Sequence, residues 1–186
     1  MYTVYILASY FLTPMLLLYL VWRSLHEPEY RHRWRERLVL SLPHIRPGGI
    51  VLHAASVGEV NAATPLIRAL LLRYPALPLA VTCFTPTGSA RIKALFGTQV
   101  EHAYLPLDLP GCVQRFLHHV RPRLLIIMET EIWPNLYHGA AQRNIPILLA
   151  NARISDELHS DEGMKALNMW SDWRMSREVA IPVVSV

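Results

Sequence analysis

The sequence predicts an α/β fold: a single Rossmann-like parallel-sheet domain preceded by an N-terminal membrane-anchor helix. Three observations carry this expectation. Short apolar runs recur at 50–53, 79–84, 100–105, 124–128 and 147–150. Stretches of helical periodicity separate them, near 60–74, 87–96, 111–120 and 133–143. Ahead of both, residues 1–22 contain no charged side chain. Near-continuous apolar strands alternating with helices of this length indicate a parallel sheet covered on both faces. Right-handed crossovers make such a sheet doubly wound and open.

The chain opens with the anchor. As a helix, residues 1–22 reach roughly 30 Å, the thickness of a bilayer core. Pro14 is expected to kink it, and Tyr2, Tyr5, Tyr19 and Trp22 suit the membrane–water interface. A cleaved signal peptide fits less well, because no basic residue precedes the apolar run. The basic residues follow it, at Arg23, Arg31, Arg33, Arg35 and Arg37. That bias places the main domain on the cytoplasmic face, whether the helix crosses the bilayer or only enters one leaflet. Residues 23–49 then read as an Arg-rich interfacial segment and linker, with Arg31, Arg33, Arg35 and Arg37 facing anionic lipid head groups. The Pro/Gly-marked stretch 43–49 ends it.

Composition excludes several classes. The 186 residues suit one well-buried domain plus an appendage, and the hydrophobic share of 52% is concentrated at the start. The formal net charge is +4, but the basic cluster adjoins the apolar start and is not interleaved with stacking aromatics on the domain. Nucleic acid is therefore not an expected partner. Cys83 and Cys112 lack CxxC spacing and are expected to be reduced thiols. The histidines show no HExxH pattern, and neighbours such as His118 and His119 point to different helix faces, so no metal site or cofactor is expected.

The polar residues gather where strands end. The first strand is followed by Ser56-Val57-Gly58-Glu59, the second by Thr85-Pro86-Thr87-Gly88-Ser89, and the third by Pro106-Leu107-Asp108. Glu129-Thr130-Glu131-Ile132-Trp133-Pro134-Asn135 follows the fourth, and Asn151-Ala152-Arg153 the fifth. In a parallel sheet these ends share one edge, so Glu59, Thr85, Glu129, Glu131 and Arg153 can converge on one cleft. Ser56 and Glu59 also have the spacing of a capping box, and Thr85-Pro86 that of an ordinary helix start. The two readings are compatible, since a capping carboxylate retains lone pairs. The helix start after Thr85, with Thr87, Gly88 and Ser89, is a weakly specific anion site. Neither a Walker A loop nor GxGxxG follows the first strand, so no nucleotide is expected there.

Taken together, 53–59, 85–89, Tyr104-Leu105-Pro106-Leu107-Asp108, 128–135 and Asn151-Ala152-Arg153 resemble the N-terminal half of bacterial 3-deoxy-D-manno-octulosonic acid (Kdo) transferases. The likeness covers about residues 3–157. It implies a membrane-associated, inverting glycosyltransferase of the two-Rossmann-domain type, moving Kdo from CMP-Kdo to a lipid A precursor (lipid IVA) in lipopolysaccharide synthesis, without metal. By that resemblance Glu59 is the general base. Ser56, Gly58, Thr85, Thr87, Gly88, Ser89, Glu131 and Arg153 are acceptor-side contacts, and the protein sits at the cytoplasmic face of the bacterial inner membrane.

The resemblance divides the chain into an anchor (1–22), the Arg-rich segment (23–49), an acceptor-binding Rossmann-like domain (50–157) and a divergent tail (158–186). In the family a second domain holds most contacts to CMP-Kdo. The expectation is therefore a truncated or frameshifted transferase, and the alternative a membrane-anchored acceptor-binding fragment without catalysis.

Overall fold

A computed structural model of the protein describes residues 2–26, 33–129, 131 and 133–150. Five strands form one sheet: β1 (Ile50–His53), β2 (Leu79–Cys83), β3 (Glu101–Tyr104), β4 (Leu124–Met128) and β5 (Ile147–Ala150). Their order is β3-β2-β1-β4-β5, with every neighbouring pair parallel. The α/β, Rossmann-like fold expected from the sequence is the one observed.

Among the described residues six helices accompany the strands: α1 (Tyr2–His26), α2 (Trp34–Arg37), α3 (Val57–Arg73), α4 (Pro86–Phe96), α5 (Pro110–Val120) and α6 (Pro134–Ala141). Helices cover the sheet on both faces, as the apolar strands β1, β2 and β4 at its middle require, while the edge strand β3 leaves Glu101 and His102 half-buried. On one face Leu52, Val81 and Ile126 pack with Val60 and Ile67 of α3 and with Ile92 and Phe96 of α4. On the other, Val51, Leu125 and Ile127 pack with Phe116 and Leu117 of α5 and with Leu136 and Ala140 of α6. The alternation of Val51 and Leu52 between the two clusters is the strand period of two.

Helix starts follow their caps. The apolar periodicity suggested α3 from about residue 60, but the Ser56 hydroxyl accepts from Glu59 N–H and sets the helix going at Val57. Gly49 fixes the other end of β1. A Cβ there would lie 2.1 Å from the Pro78 carbonyl oxygen, the acceptor for Ile50 N–H at 2.8 Å, so only glycine lets β1 and β2 begin side by side.

The basic segment differs from the expected lipid-facing helix. Among its described residues, only Trp34–Arg37 is helical, and it packs against the domain. Leu107 N–H donates to Arg37 O, and Ile45 is in the core. Arg37 is 3% exposed, its guanidinium lying over the rings of Phe84 and Tyr104 and donating to Phe84 O at 2.7 Å. Its placement on a lipid surface is therefore corrected: two aromatic faces and a carbonyl solvate this cation inside the fold. Arg33 is also turned inward, bonding Glu36, Ser89 and His102 O. Arg35 is exposed, and Arg31 lies outside the described residues.

α1 is long and apolar enough, by length and composition, to cross a membrane. Leu7, Phe11, Met15, Leu18 and Leu25 on it are exposed. Its first turn touches the domain, where Tyr5 donates to Asp108 Oδ2 at 2.9 Å.

Candidate active site

The C-terminal edge of the sheet carries the site, and β1 stands at its centre. The strand order reverses between β1 and β4, the switch point at whose C-terminal edge open α/β sheets bind their ligands.

The β1 loop holds Glu59. Its Oε2 accepts Ala55 N–H at 2.9 Å and its Oε1 accepts the Ser56 hydroxyl at 3.0 Å, while Ser56 Oγ accepts Glu59 N–H at 3.3 Å. This is a variant of the capping box at the start of α3, in which the carboxylate returns to the amide one residue before the Ser56 cap. It leaves Glu59 7% exposed and fixed in one orientation, each carboxylate oxygen still owning a second lone pair. Gly58 occupies the second helical position, where an added Cβ would meet only Ser56 Oγ, at 3.7 Å.

The β2 loop lies against the β1 loop. Phe84 N–H, Thr85 N–H and the Thr85 hydroxyl all donate to Ala55 O, at 3.1, 3.3 and 3.3 Å. Thr85 Oγ1 also accepts Gly88 N–H at 3.1 Å and caps α4. At Gly88 a Cβ would meet Thr85 Oγ1 at 3.0 Å and the Ser56 carbonyl carbon at 3.6 Å, so the glycine brings the two helix starts together. Thr87 Oγ1 reaches Thr85 Oγ1 at 3.4 Å and is exposed.

Ser89 is corrected from a substrate contact to a structural one. It is 4% exposed, and its hydroxyl lies 2.7 Å from His102 Nε2 and 3.2 Å from Arg33 Nη1. His102 Nδ1 lies 2.7 Å from Val81 O and must carry the ring proton, so Ser89 donates to Nε2 and accepts from Arg33. The one proton of that hydroxyl is committed to His102 inside the fold, so it is not offered to a ligand at the edge.

The β4 loop brings Glu131 to the same edge. Its Oε2 accepts Trp133 Nε1–H at 2.9 Å and lies 3.3 Å from His53 Nε2. Its backbone oxygen accepts the Tyr137 hydroxyl. Burial alone would raise this carboxyl, but the hydrogen bonds from His53 and Trp133 outweigh it and hold Glu131 below its ordinary value. The Trp133 ring lies 5.7 Å from both His53 and Phe84. The ends of β1, β2 and β4 thus meet through His53, Phe84 and Trp133.

Asp108, after β3, serves the scaffold. Its two oxygens accept Asn135 and Leu136 N–H at 2.9 Å each and so cap α6. Glu129 adopts φ 57°, and its N–H extends the β5 ladder to Ala150 O. Arg153 lies outside the described residues. An open depression lined by Leu42, Arg115, His118 and Arg143 contains none of these edge residues. Among the described residues no group of His, Cys, Asp or Glu has the arrangement to hold a metal ion.

Sequence reasoning missed His53, Thr82 and Tyr137. One signal was available for the first: His53 is the only ionisable residue in β1, and it ends the strand. What the ring bonds to could not be read from spacing, since its partners are 29 and 78 positions away.

The sequence profile of the family described as 3-deoxy-D-manno-octulosonic-acid transferase (kdotransferase) matches residues 32–172, past residue 157, where the sequence resemblance ends. A 3-deoxy-D-manno-octulosonic acid transferase of Haemophilus influenzae is 53% identical over 76% of this chain and 34% of its own length. A probable mitochondrial one of Arabidopsis thaliana is 34% identical over 100% of this chain and 39% of its own. One of Bordetella pertussis is 44% identical over 56% of this chain and 25% of its own. The chain thus spans between a quarter and two fifths of the length of these relatives.

Proposed function

Because the chain belongs to the 3-deoxy-D-manno-octulosonic acid transferase family, we propose that it forms the acceptor side of a Kdo transferase, with Glu59 as general base toward a lipid A precursor. The observation that carries this is the fixed Glu59 carboxylate on the switch-point edge, flanked by the β2 and β4 loops. A base must stand within hydrogen-bond reach of the proton it takes, in one orientation, and the capping box provides that orientation.

In the step proposed, the acceptor hydroxyl gives its proton to Glu59 as its oxygen bonds the anomeric carbon of Kdo. The bond from that carbon to the CMP phosphate breaks, its electron pair leaves with CMP, and configuration inverts. Glu131 and Arg153 are acceptor contacts in this reading, joined by Ser56, Gly58, Thr85, Thr87 and Gly88. The donor, CMP-Kdo, is bound chiefly by the further domain of the longer relatives. No metal enters the step.

The proposed location is the cytoplasmic face of the bacterial inner membrane, with α1 in the lipid and Arg35 toward its head groups. The Tyr5 to Asp108 hydrogen bond favours an α1 that enters one leaflet. A fully crossing helix would carry Tyr5 roughly 27 Å from Arg23 along the axis, to the far side of the bilayer from the domain. A thiol introduced by Tyr2→Cys and probed in sealed vesicles with an impermeant reagent decides this. Labelling from the domain's side supports entry, and labelling only from the opposite side overturns it.

The functional test uses lipid IVA and CMP-Kdo. The present chain should bind lipid IVA in detergent. The change corresponding to Glu59→Gln, made in the full-length Haemophilus influenzae relative, should leave acceptor binding in place and lower turnover about 10²-fold or more. Unchanged turnover would remove Glu59 as the base.

A further inference from the structure

His53 is completely buried at the end of the central strand, beside apolar neighbours. A buried imidazole is costly unless both ring nitrogens are hydrogen-bonded, whereas valine or leucine would close β1 without that demand. Both nitrogens are engaged. Nδ1 lies 3.0 Å from Thr82 Oγ1, on the residue paired with His53 in the β1–β2 register. Nε2 lies 3.3 Å from Glu131 Oε2. Ionised Glu131 can only accept, so Nε2 carries the proton, and in the neutral ring Thr82 donates to Nδ1. The chain of donors runs from Thr82 on β2 through His53 at the end of β1 to Glu131 in the loop after β4.

Glu131 is held unevenly. Oε2 takes both the His53 and the Trp133 hydrogen bonds, while Oε1 has no intramolecular partner among the described residues. The side chain is 31% exposed, so the edge of the cleft reaches it. Its backbone is fixed separately by Tyr137.

We infer that His53 is a positioning residue that pins one oxygen of Glu131, so that the other is presented, acceptor-only, to a hydroxyl of the sugar in the cleft. This rests on the reading of this edge as the acceptor side, and it adds a role that Glu59 does not have. Glu59 receives a proton during the reaction, whereas Glu131 accepts a hydrogen bond and stays ionised. Ordering the carboxylate before the ligand arrives removes that cost from binding.

The test has two readouts on the whole chain in detergent. The Trp133 indole N–H, identified in NMR spectra by its loss in Trp133→Phe, reports the ionisation of Glu131. The titratable groups facing Glu131 are His53 from β1 and Tyr137 from α6, with Asp108 beyond Tyr137. Burial, then Glu131 and Asp108, push the Tyr137 hydroxyl above its ordinary value, so it stays protonated throughout. In the unmodified protein the indole signal should titrate below the ordinary glutamate range.

In His53→Phe that midpoint should rise and affinity for lipid IVA should fall about tenfold. His53→Gln, whose amide can donate to Oε2, should recover part of both. Glu131→Gln should weaken binding by a similar factor, and adding His53→Phe to it should cost little more. An unmoved indole midpoint in both His53 variants overturns the inference while leaving acceptor binding intact. An unmodified chain that does not bind lipid IVA overturns the functional reading, and with it the sugar hydroxyl as ligand, while the titration still decides whether His53 positions Glu131.

Discussion

Tyr5 and Asp108 stand 103 positions apart and share one hydrogen bond, phenol to carboxylate, at 2.9 Å. The same carboxylate caps α6 through Asn135 and Leu136, so one side chain ties the first turn of α1 to the helix behind Glu131. Burial raises the Asp108 carboxyl above its ordinary value, against the pull of its three donors. Asp108→Ala should cost about 1–2 kcal/mol through the lost cap. Tyr5→Phe should cost about 1 kcal/mol. The Tyr5→Phe loss should grow as pH rises through the Asp108 titration, because the phenol favours the ionised form. Urea unfolding at two pH values measures both, and an equal loss at each would contradict the sign.

His102 sets an acid limit on stability. Burial is the main cause that lowers its ring to about 4 from 6.5, with Arg33 and Lys93 adding to it against the Val81 carbonyl. The unfolded ring takes up its proton near the higher value, so the stability it carries is complete above that pH and lost as pH falls through the lower one. The expected loss across this window is on the order of 3 kcal/mol. His102→Gln should flatten this limb of the stability profile. A variant as acid-sensitive as the parent would show that other groups govern it.

Cys83 should be silent toward thiol reagents in the native protein. It is fully buried, and burial pushes its thiol up to about 12 despite Arg37 and Arg33 nearby. At pH 8 its thiolate fraction is then about a thousandfold below that of an ordinary cysteine. Iodoacetamide labelling followed by mass spectrometry should find Cys83 modified only after unfolding. Rapid modification at low denaturant would count against the placement of β2.

Arg37 and Arg35 should separate stability from surface charge. Arg37→Ala removes a cation held between Phe84 and Tyr104 and should cost about 2 kcal/mol or more. Arg37→Lys should recover little of this, since an ammonium cannot reproduce the planar stack. Arg35→Ala should leave stability within about 0.5 kcal/mol and reduce retention on anionic vesicles. The reverse pattern would return Arg37 to the lipid surface.

These sites show where local sequence is informative. Four strands were legible as short apolar runs and β3, Glu101–Tyr104, only through its apolar flanks Val100 and Leu105, while Ser56 and Thr85 were legible as caps because a cap acts within three residues. The shared edge followed from topology alone. The inward turn of Arg37 and Ser89 was not legible, because Phe84, Tyr104 and His102 reach them only after the sheet has formed. Alternating arginines read as a charged surface until aromatic faces from two other strand ends enclose one of them. His53 was visible only as an ionisable residue in an apolar strand. Its role waits on Glu131, which the fourth strand delivers.

The carbonyl of Ala55 takes hydrogen bonds from Phe84 N–H, Thr85 N–H and the Thr85 hydroxyl. The amides of the second strand's loop are therefore protected by an oxygen of the first strand's loop, and neither can open alone. In deuterium exchange, Phe84 and Thr85 should exchange together, at a rate set by release of the segment that holds Ser56 and Glu59. Two walls of the cleft are one cooperative unit, and the clock that times its opening can be read at residues that carry no chemistry.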